Sequence, residues 1–330
     1  MKKAGFLILL FLAIGLNAQF GKIGNNGVKF LDIEVDARGI GMGGAYGSIA
    51  EGASAVFWNP GGVALGKGIN VFTHYNKWWD GIMHGVFSFT YDLGLNGVVG
   101  VFFNGVYSGD IEETTVDQPD GTGSYVSYYG IAGGVTYSRY LTDRFAFGIN
   151  LKGLREIYPP THTVSRCLTT GICLDVGGLY RTDFRDMKVG IALFNFGPDI
   201  KPTGNYDDFS DGVVVDTVKE FKPYPTPTGF RGGISMLVYE MEGVKVIGAF
   251  DVYHPSDNVE RYSVGLETTV YNMVSLRTGY CFGRDDNVLG FNGGIGINAP
   301  IGAGKMAVDF AYSDGRYLPG TYRVSVKLGF

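Results

Sequence analysis

The strongest constraint on this chain is a rhythm. From Ile69 onward it breaks into fourteen segments of roughly 9 to 15 residues, each alternating apolar with polar or small residues and separated by Gly, Asp, Asn and Pro clusters. The spans read as 69-77, 82-92, 95-107, 125-140, 145-157, 172-181, 187-196, 227-239, 243-253, 259-270, 272-282, 287-298, 304-313 and 320-330. Period-two alternation places successive side chains on opposite faces of a strand. The connections keep time with the strands. The even-numbered ones, at Asp92 to Leu95, Leu141 to Arg144, Thr182 to Asp186, Glu240 to Glu242, Tyr271-Asn272 and Ala299 to Ala303, are all short. The three longest, around Ser108 to Ser124, Tyr158 to Gly171 and Gly197 to Thr226, are all odd-numbered. Short turns on one side and long loops on the other, with an even strand number, describe an antiparallel β-barrel with both ends on the short-turn side.

The strand faces say what surrounds such a barrel. In 304-313, Met306, Val308, Phe310 and Tyr312 point one way and Ala307, Asp309 and Ala311 the other. In 261-270, Tyr262, Val264, Leu266 and Val270 oppose Arg261, Ser263, Gly265, Glu267 and Thr269. The last strand sets Tyr322, Val324, Val326, Leu328 and the terminal Phe330 against Arg323, Ser325, Lys327 and Gly329. The apolar faces suit lipid, and the polar faces suit a lumen. Arg261, Glu267, Arg277, Asp309, Arg323 and Lys327 are therefore expected to line that lumen. Their mixed signs point to mutual neutralisation that holds a plug, with a polar conduit as the alternative. A soluble sandwich is disfavoured by Gly 53, because glycine inside strands weakens a ladder unless close approach or curvature needs it.

The start of the chain reads as a secretory signal over 1-18: Met1-Lys2-Lys3, an apolar run from Phe6 to Leu16, then Asn17-Ala18-Gln19. A stretch of that length is too short to span roughly 30 Å of hydrocarbon. Export to a bacterial outer membrane follows, with membrane lipid and lipopolysaccharide as surroundings. A net charge of -5 without a Lys/Arg cluster excludes nucleic-acid binding. Cys167 and Cys173 are close enough in sequence to bond in an oxidising compartment, two unbonded thiols being the alternative. No metal or other cofactor is implied, and no nucleophile, histidine and carboxylate suggest an enzyme.

Between signal and barrel, residues 19-68 hold the run Ala37-Arg38-Gly39-Ile40-Gly41-Met42-Gly43-Gly44, continuing to Phe57-Trp58-Asn59-Pro60-Gly61-Gly62. Gly39, Gly41 and Gly44 satisfy a dinucleotide-binding spacing, but no βαβ unit surrounds them. Small residues instead let short helices pack against a barrel wall, and Asn59-Pro60-Gly61 is a turn-forming stop.

The run from Ala37 to Ala64 resembles the N-terminal signature of the PorV/PorQ family, barrels related to the fatty-acid channel FadL. The terminal strand, Tyr322, Val324, Val326, Leu328 and Phe330, resembles the signal read by the barrel assembly machinery. The family resemblance implies a fourteen-stranded barrel over 69-330, entered from the periplasmic side by a small helical plug carrying Arg38, Gly41, Gly43, Gly44, Trp58, Asn59, Pro60 and Gly61. It implies a role in type IX-like secretion with protein cargo, or FadL-like passage of hydrophobic small molecules. For the second role Ile111, Val116, Tyr125 and Val126 are candidates for an apolar outer pocket. The acidic stretches Asp110 to Asp120 and Asp207 to Asp211 read as solvated surface rather than calcium loops. His74, His84, His162 and His254 are expected near the outer rim.

Overall fold

The computed structural model describes residues 24–330 apart from 161–166, 211–212, 284–288 and 316–317. The signal reading of 1-18 and the expectation for His162 lie outside the described residues.

The strands are β1 Ile69–Lys77, β2 Met83–Asp92, β3 Val98–Tyr107, β4 Tyr129–Tyr140, β5 Phe145–Tyr158, β6 Cys167–Arg181, β7 Lys188–Phe196, β8 Gly229–Met241, β9 Val244–Pro255, β10 Arg261–Val270, β11 Val274–Phe282, β12 Leu289–Ile301, β13 Gly304–Gly315 and β14 Thr321–Gly329. Each pairs antiparallel with its sequence neighbours, and β14 returns to pair with β1, closing a barrel of fourteen strands. The seam continues to the last residue: Phe330 N–H donates to Ile69 O and Ile69 N–H to Phe330 O, both at 2.9 Å. Closure removes the unpaired edges an open sheet would present.

Two boundaries differ from the pattern in the sequence. Residues Tyr125–Val126 pair with Ile111–Glu112 in a small hairpin of the β3–β4 connection instead of opening β4. The strand β6 begins at Cys167, well before the predicted 172, and pairs with β5 throughout, Tyr158 opposite Cys167 and Lys152 opposite Cys173. A second hairpin, Asn205–Ser210 with Val213–Glu220, occupies the β7–β8 connection.

The outer surface is apolar. Val101 and Phe103 on β3, Leu276 and Tyr280 on β11 and Tyr322 and Val324 on β14 are all exposed. Directly opposed aromatic pairs, Tyr107 with Tyr129 and Tyr262 with Phe282, stack near the long-loop rim at 4.8 and 5.6 Å. A continuous band of this kind is unfavourable in water and suits a bilayer with aromatic residues at its interface.

The hydrophobic core lies inside the barrel. Ile40, Met42, Tyr46, Ile49, Val56, Trp58 and Val63 of the N-terminal segment pack together with Val98, Phe102, Ala249 and Ala311 of the wall. This segment is mostly irregular. It contains one five-residue α-helix, α1 Ala37–Gly41, and 3-10 turns at Lys29–Asp32, Gly52–Phe57 and Pro60–Leu65. The expected helical plug thus has little helix, because its glycines disfavour helix and serve close approach instead. A side chain at Gly41 would come within 3.2 Å of Gly294 Cα on β12, and Gly43, at φ +68°, would meet Tyr280 N on β11 at 2.6 Å.

The segment spans the height of the barrel. At the long-loop end Asn26 donates to Ser256 Oγ at 2.7 Å, Gly27 N–H to Pro225 O at 3.3 Å, and Lys29 pairs with Asp257 at 2.8 Å. At the short-turn end the chain passes Gly68 into β1 beside Phe330. The segment thus joins the barrel at the short-turn end and reaches up the lumen, so that residues 24 to 32 sit at the long-loop mouth.

Candidate functional site

Two features could carry function: the charged seating of the lumenal segment and an apolar groove above it. In the seating, the Asp36 side chain accepts from Arg38 N–H at 3.0 Å and caps α1, which directs the Arg38 guanidinium to the wall. There it grips Glu267 on β10 at two points, Nε to Oε2 at 2.8 Å and Nη2 to Oε1 at 2.7 Å. Arg277 on β11 donates to the same Glu267 at 2.6 Å and to Asp309 on β13 at 2.7 Å. Lys327 on β14 pairs with Asp36 at 2.7 Å and donates to Tyr46 OH at 3.1 Å. Arg261 pairs with Glu34, which also accepts from Arg231 on β8 at 2.8 Å. Five of the six lumenal charges picked from the sequence thus enter ion pairs across or along the wall. The sixth, Arg323, has no ion pair among the described residues.

Burial works against charge on Glu34 and Asp36, but the surrounding cations prevail: Arg261 and Arg231 hold Glu34 below the usual carboxylate range, and Lys327 does so for Asp36.

The Trp58-Asn59-Pro60-Gly61 stretch fastens the other side of the segment. Trp58 Nε1 donates to Val35 O at 3.1 Å, and its ring lies edge-on to Tyr46 at 5.3 Å and beneath the Arg231 guanidinium at 4.5 Å. Asn59 donates to Gly47 O at 3.0 Å and to Gly178 O on β6 at 3.1 Å while accepting from Gly61 N–H at 3.0 Å. One amide thus links the turn to itself, to the segment and to the wall.

Sequence reasoning missed the partners supplied by the segment, Glu34 and Asp36, and those deeper in the wall. Asp251 on β9 accepts from the backbone N–H of Tyr46 and Gly47 at 3.1 and 2.7 Å. Lys152 on β5 pairs with Asp175 on β6 at 2.6 Å, beside Asn195 of β7, whose φ of 55° marks a bulge in the β6–β7 ladder. A charged residue at an inward position of each strand was the available signal. Glu34, Lys152, Asp175 and Asn195, with Ile33, Val56, Phe57, Phe102 and Phe194, line a cavity of about 70 Å³, room for a few waters.

The groove lies at the long-loop mouth. Gly24 to Gly27, Tyr158, Pro159, Cys167, Pro202, Phe221 and Tyr224 bound about 510 Å³, and none of these residues is charged. Its inner wall is built on Glu156. That buried carboxylate accepts from Tyr128 OH at 2.5 Å, from Tyr224 OH at 3.4 Å and from Val28 N–H, so the wall, the β7–β8 loop and the N-terminal segment meet at one residue.

The expected outer pocket is therefore misplaced: Ile111, Val116 and Tyr125 are exposed, and neither they nor Val126 line the groove. The possible Cys167–Cys173 disulfide is also corrected. Both lie on β6, six residues and so roughly 20 Å apart along an extended strand, and no disulfide joins any of the three cysteines. His74 and His84 lie near the long-loop ends of β1 and β2, facing inward and buried, whereas His254 is half-exposed beside Glu260 at 3.0 Å.

No protein-family model and no curated protein sequence matches the chain. Solved structures do. A monoaromatic hydrocarbon channel, CymD, superposes with a TM-score of 0.57 at 12% identity over 92% of this chain and 99% of its own. A Pseudomonas aeruginosa FadL homologue gives 0.55 at 12% over 90% and 98%. The Pseudomonas putida toluene transporter TodX gives 0.52 at 12% over 85% and 94%. The fold is that of the FadL-like outer-membrane barrels. The FadL side of the resemblance is therefore a statement about fold, while the PorV/PorQ side, and with it type IX-like secretion, draws no support from these neighbours.

Proposed function

We propose that this chain is an outer-membrane channel for hydrophobic small molecules, with the N-terminal segment as its plug and no enzymatic step. The observation that carries the reading is the groove of about 510 Å³ at the long-loop mouth, uncharged among the described residues, within the range of small-molecule sites. Residues 24 to 27 of the same segment that fills the lumen form part of it, so a ligand in the groove touches the plug directly. The structural neighbours, a monoaromatic hydrocarbon channel and a toluene transporter, support this ligand class. The secretion reading would need a broad cargo-gripping surface, and the external loops offer only two small hairpins among the described residues.

The test is equilibrium binding of an uncharged fluorescent arylamine to protein purified in mild detergent, with toluene and decane as competitors. Phe221→Asp or Tyr224→Asp places a charge in the groove and is expected to weaken binding at least tenfold, about 1.4 kcal/mol. Unchanged affinity in both variants, each folded by its heat-modifiable gel mobility, would remove the groove from the function.

A further inference from the structure

Arg323 is the lumenal cation left over from the seating network. It is 1% exposed, and among the described residues no carboxylate lies within ion-pairing distance. Its Nη1 donates to Ser313 Oγ at 2.6 Å and Thr321 Oγ1 at 3.0 Å, its guanidinium lies 5.6 Å from the Trp78 ring centroid, and its Nε has no partner. An arginine buried this way has no contacting counter-ion among the described residues: Glu34 acts on it only from beyond ion-pairing distance, and hydroxyl dipoles and a ring face offset the charge only in part.

The side chains beside it also carry atoms without partners among the described residues. The register sets Asn76 of β1 opposite Arg323 on one side and His84 of β2 on the other, so the three form a row across the inner wall. His74 lies one rung away, its ring 6.4 Å from that of His84. All of them are at most 2% exposed, and Asn76 Nδ2 and Oδ1, His74 Nε2 and His84 Nδ1 lack partners. Tautomers follow from the partners that exist. The Ser325 hydroxyl accepts from Ala37 N–H and lies 3.0 Å from His74 Nδ1, to which it can donate its own hydrogen; with that tautomer assigned, His74 Nε2–H is a donor. His84 donates from Nε2 to Asn104 Oδ1, which leaves its Nδ1 an acceptor.

We propose that this patch of the wall between β14 and β2 binds a small carboxylate. The Arg323 edge opposite Nη1, with Asn76 Nδ2 and His74 Nε2–H, supplies the donors, and guanidinium–carboxylate geometry favours side-on, two-point contact. Ordered water alone would satisfy the hydrogen bonds, including that at His84 Nδ1, but would leave the guanidinium without a counter-ion in contact. The carboxylate belongs either to a free small acid or to the head of a longer amphiphile. The site is independent of the groove and of the transport reading.

The test uses crystals of the full chain grown in sodium bromide as an anion probe. The expected result is an anomalous bromide peak beside Arg323 Nε that disappears in Arg323→Gln or, should that variant fail to fold, in Asn76→Ala. Soaking with formate is expected to displace it. Displacement by decanoate as well assigns the site to an amphiphile head, whereas displacement by formate alone assigns it to a free small acid. No peak in the wild-type chain, or displacement by phosphate but not formate, overturns the proposal.

Discussion

Arg38 on the lumenal segment and Glu267 on β10 meet in a two-point fork at 2.8 and 2.7 Å, and Glu267 is shared with Arg277 at 2.6 Å. Removing one partner of a buried pair leaves the other charge poorly compensated, at a typical cost of about 3 to 5 kcal/mol. Because Arg277 remains, Arg38→Ala is expected to lower stability by about 2 kcal/mol in urea titration and to raise single-channel conductance in planar bilayers. Wild-type conductance in that variant, and in a chain lacking residues 24–65, would show that the segment does not plug the lumen.

Glu34 and Asp36 make the seating acid-sensitive. Both are held below the ordinary carboxylate range, so each binds its proton less readily in the fold than in the unfolded chain. Their contribution is complete above the unfolded values of about 4, and it is lost as pH falls through the lower folded values. A Glu34→Gln/Asp36→Asn chain is expected to be less stable than wild type at pH 7, with the gap narrowing by pH 3. A gap that stays constant across this range would exclude these carboxylates as the cause.

Close approach of backbones predicts a steric effect at Gly43. At φ +68° with Tyr280 N at 2.6 Å from a Cβ position, Gly43→Val combines left-handed strain of about 1 to 2 kcal/mol with a collision against the β11 backbone. Faster hydrogen exchange is expected over residues 37–47, with the β11–β12 ladder unchanged. Protection at the wild-type level would place the segment farther from the wall.

The cysteines give a direct check on strand β6. Since Cys167 and Cys173 share one extended strand, protein purified without reductant and then unfolded is expected to show three thiols to a maleimide reagent. One thiol would require a break in β6.

Deleting Phe330 removes two 2.9 Å hydrogen bonds to Ile69 at the closing seam. A loss of about 1 to 2 kcal/mol is expected in refolded protein, measured separately from insertion in cells, so that the thermodynamic role of the residue is distinguished from any effect on assembly.

The fourteen strands, the alternation of short and long connections and the inward charges on β10, β11, β13 and β14 could be read from the sequence alone. Period-two patterning is local, and a barrel in lipid cannot place Arg277 or Asp309 outward without exposing a charge to hydrocarbon. Glycine spacing in 37–64 likewise showed a segment built for close packing. The partners in that packing belong to the tertiary structure. Arg38 and Glu267 are 229 residues apart, and nothing local links them. Closure of β1 on β14 sets Asn76 beside Arg323, the register of β5 and β6 separates Cys167 from Cys173, and the path of residues 24 to 32 to the long-loop mouth builds the groove there. Such pairings follow from how strands stack around a closed ring, and only the folded chain fixes that register.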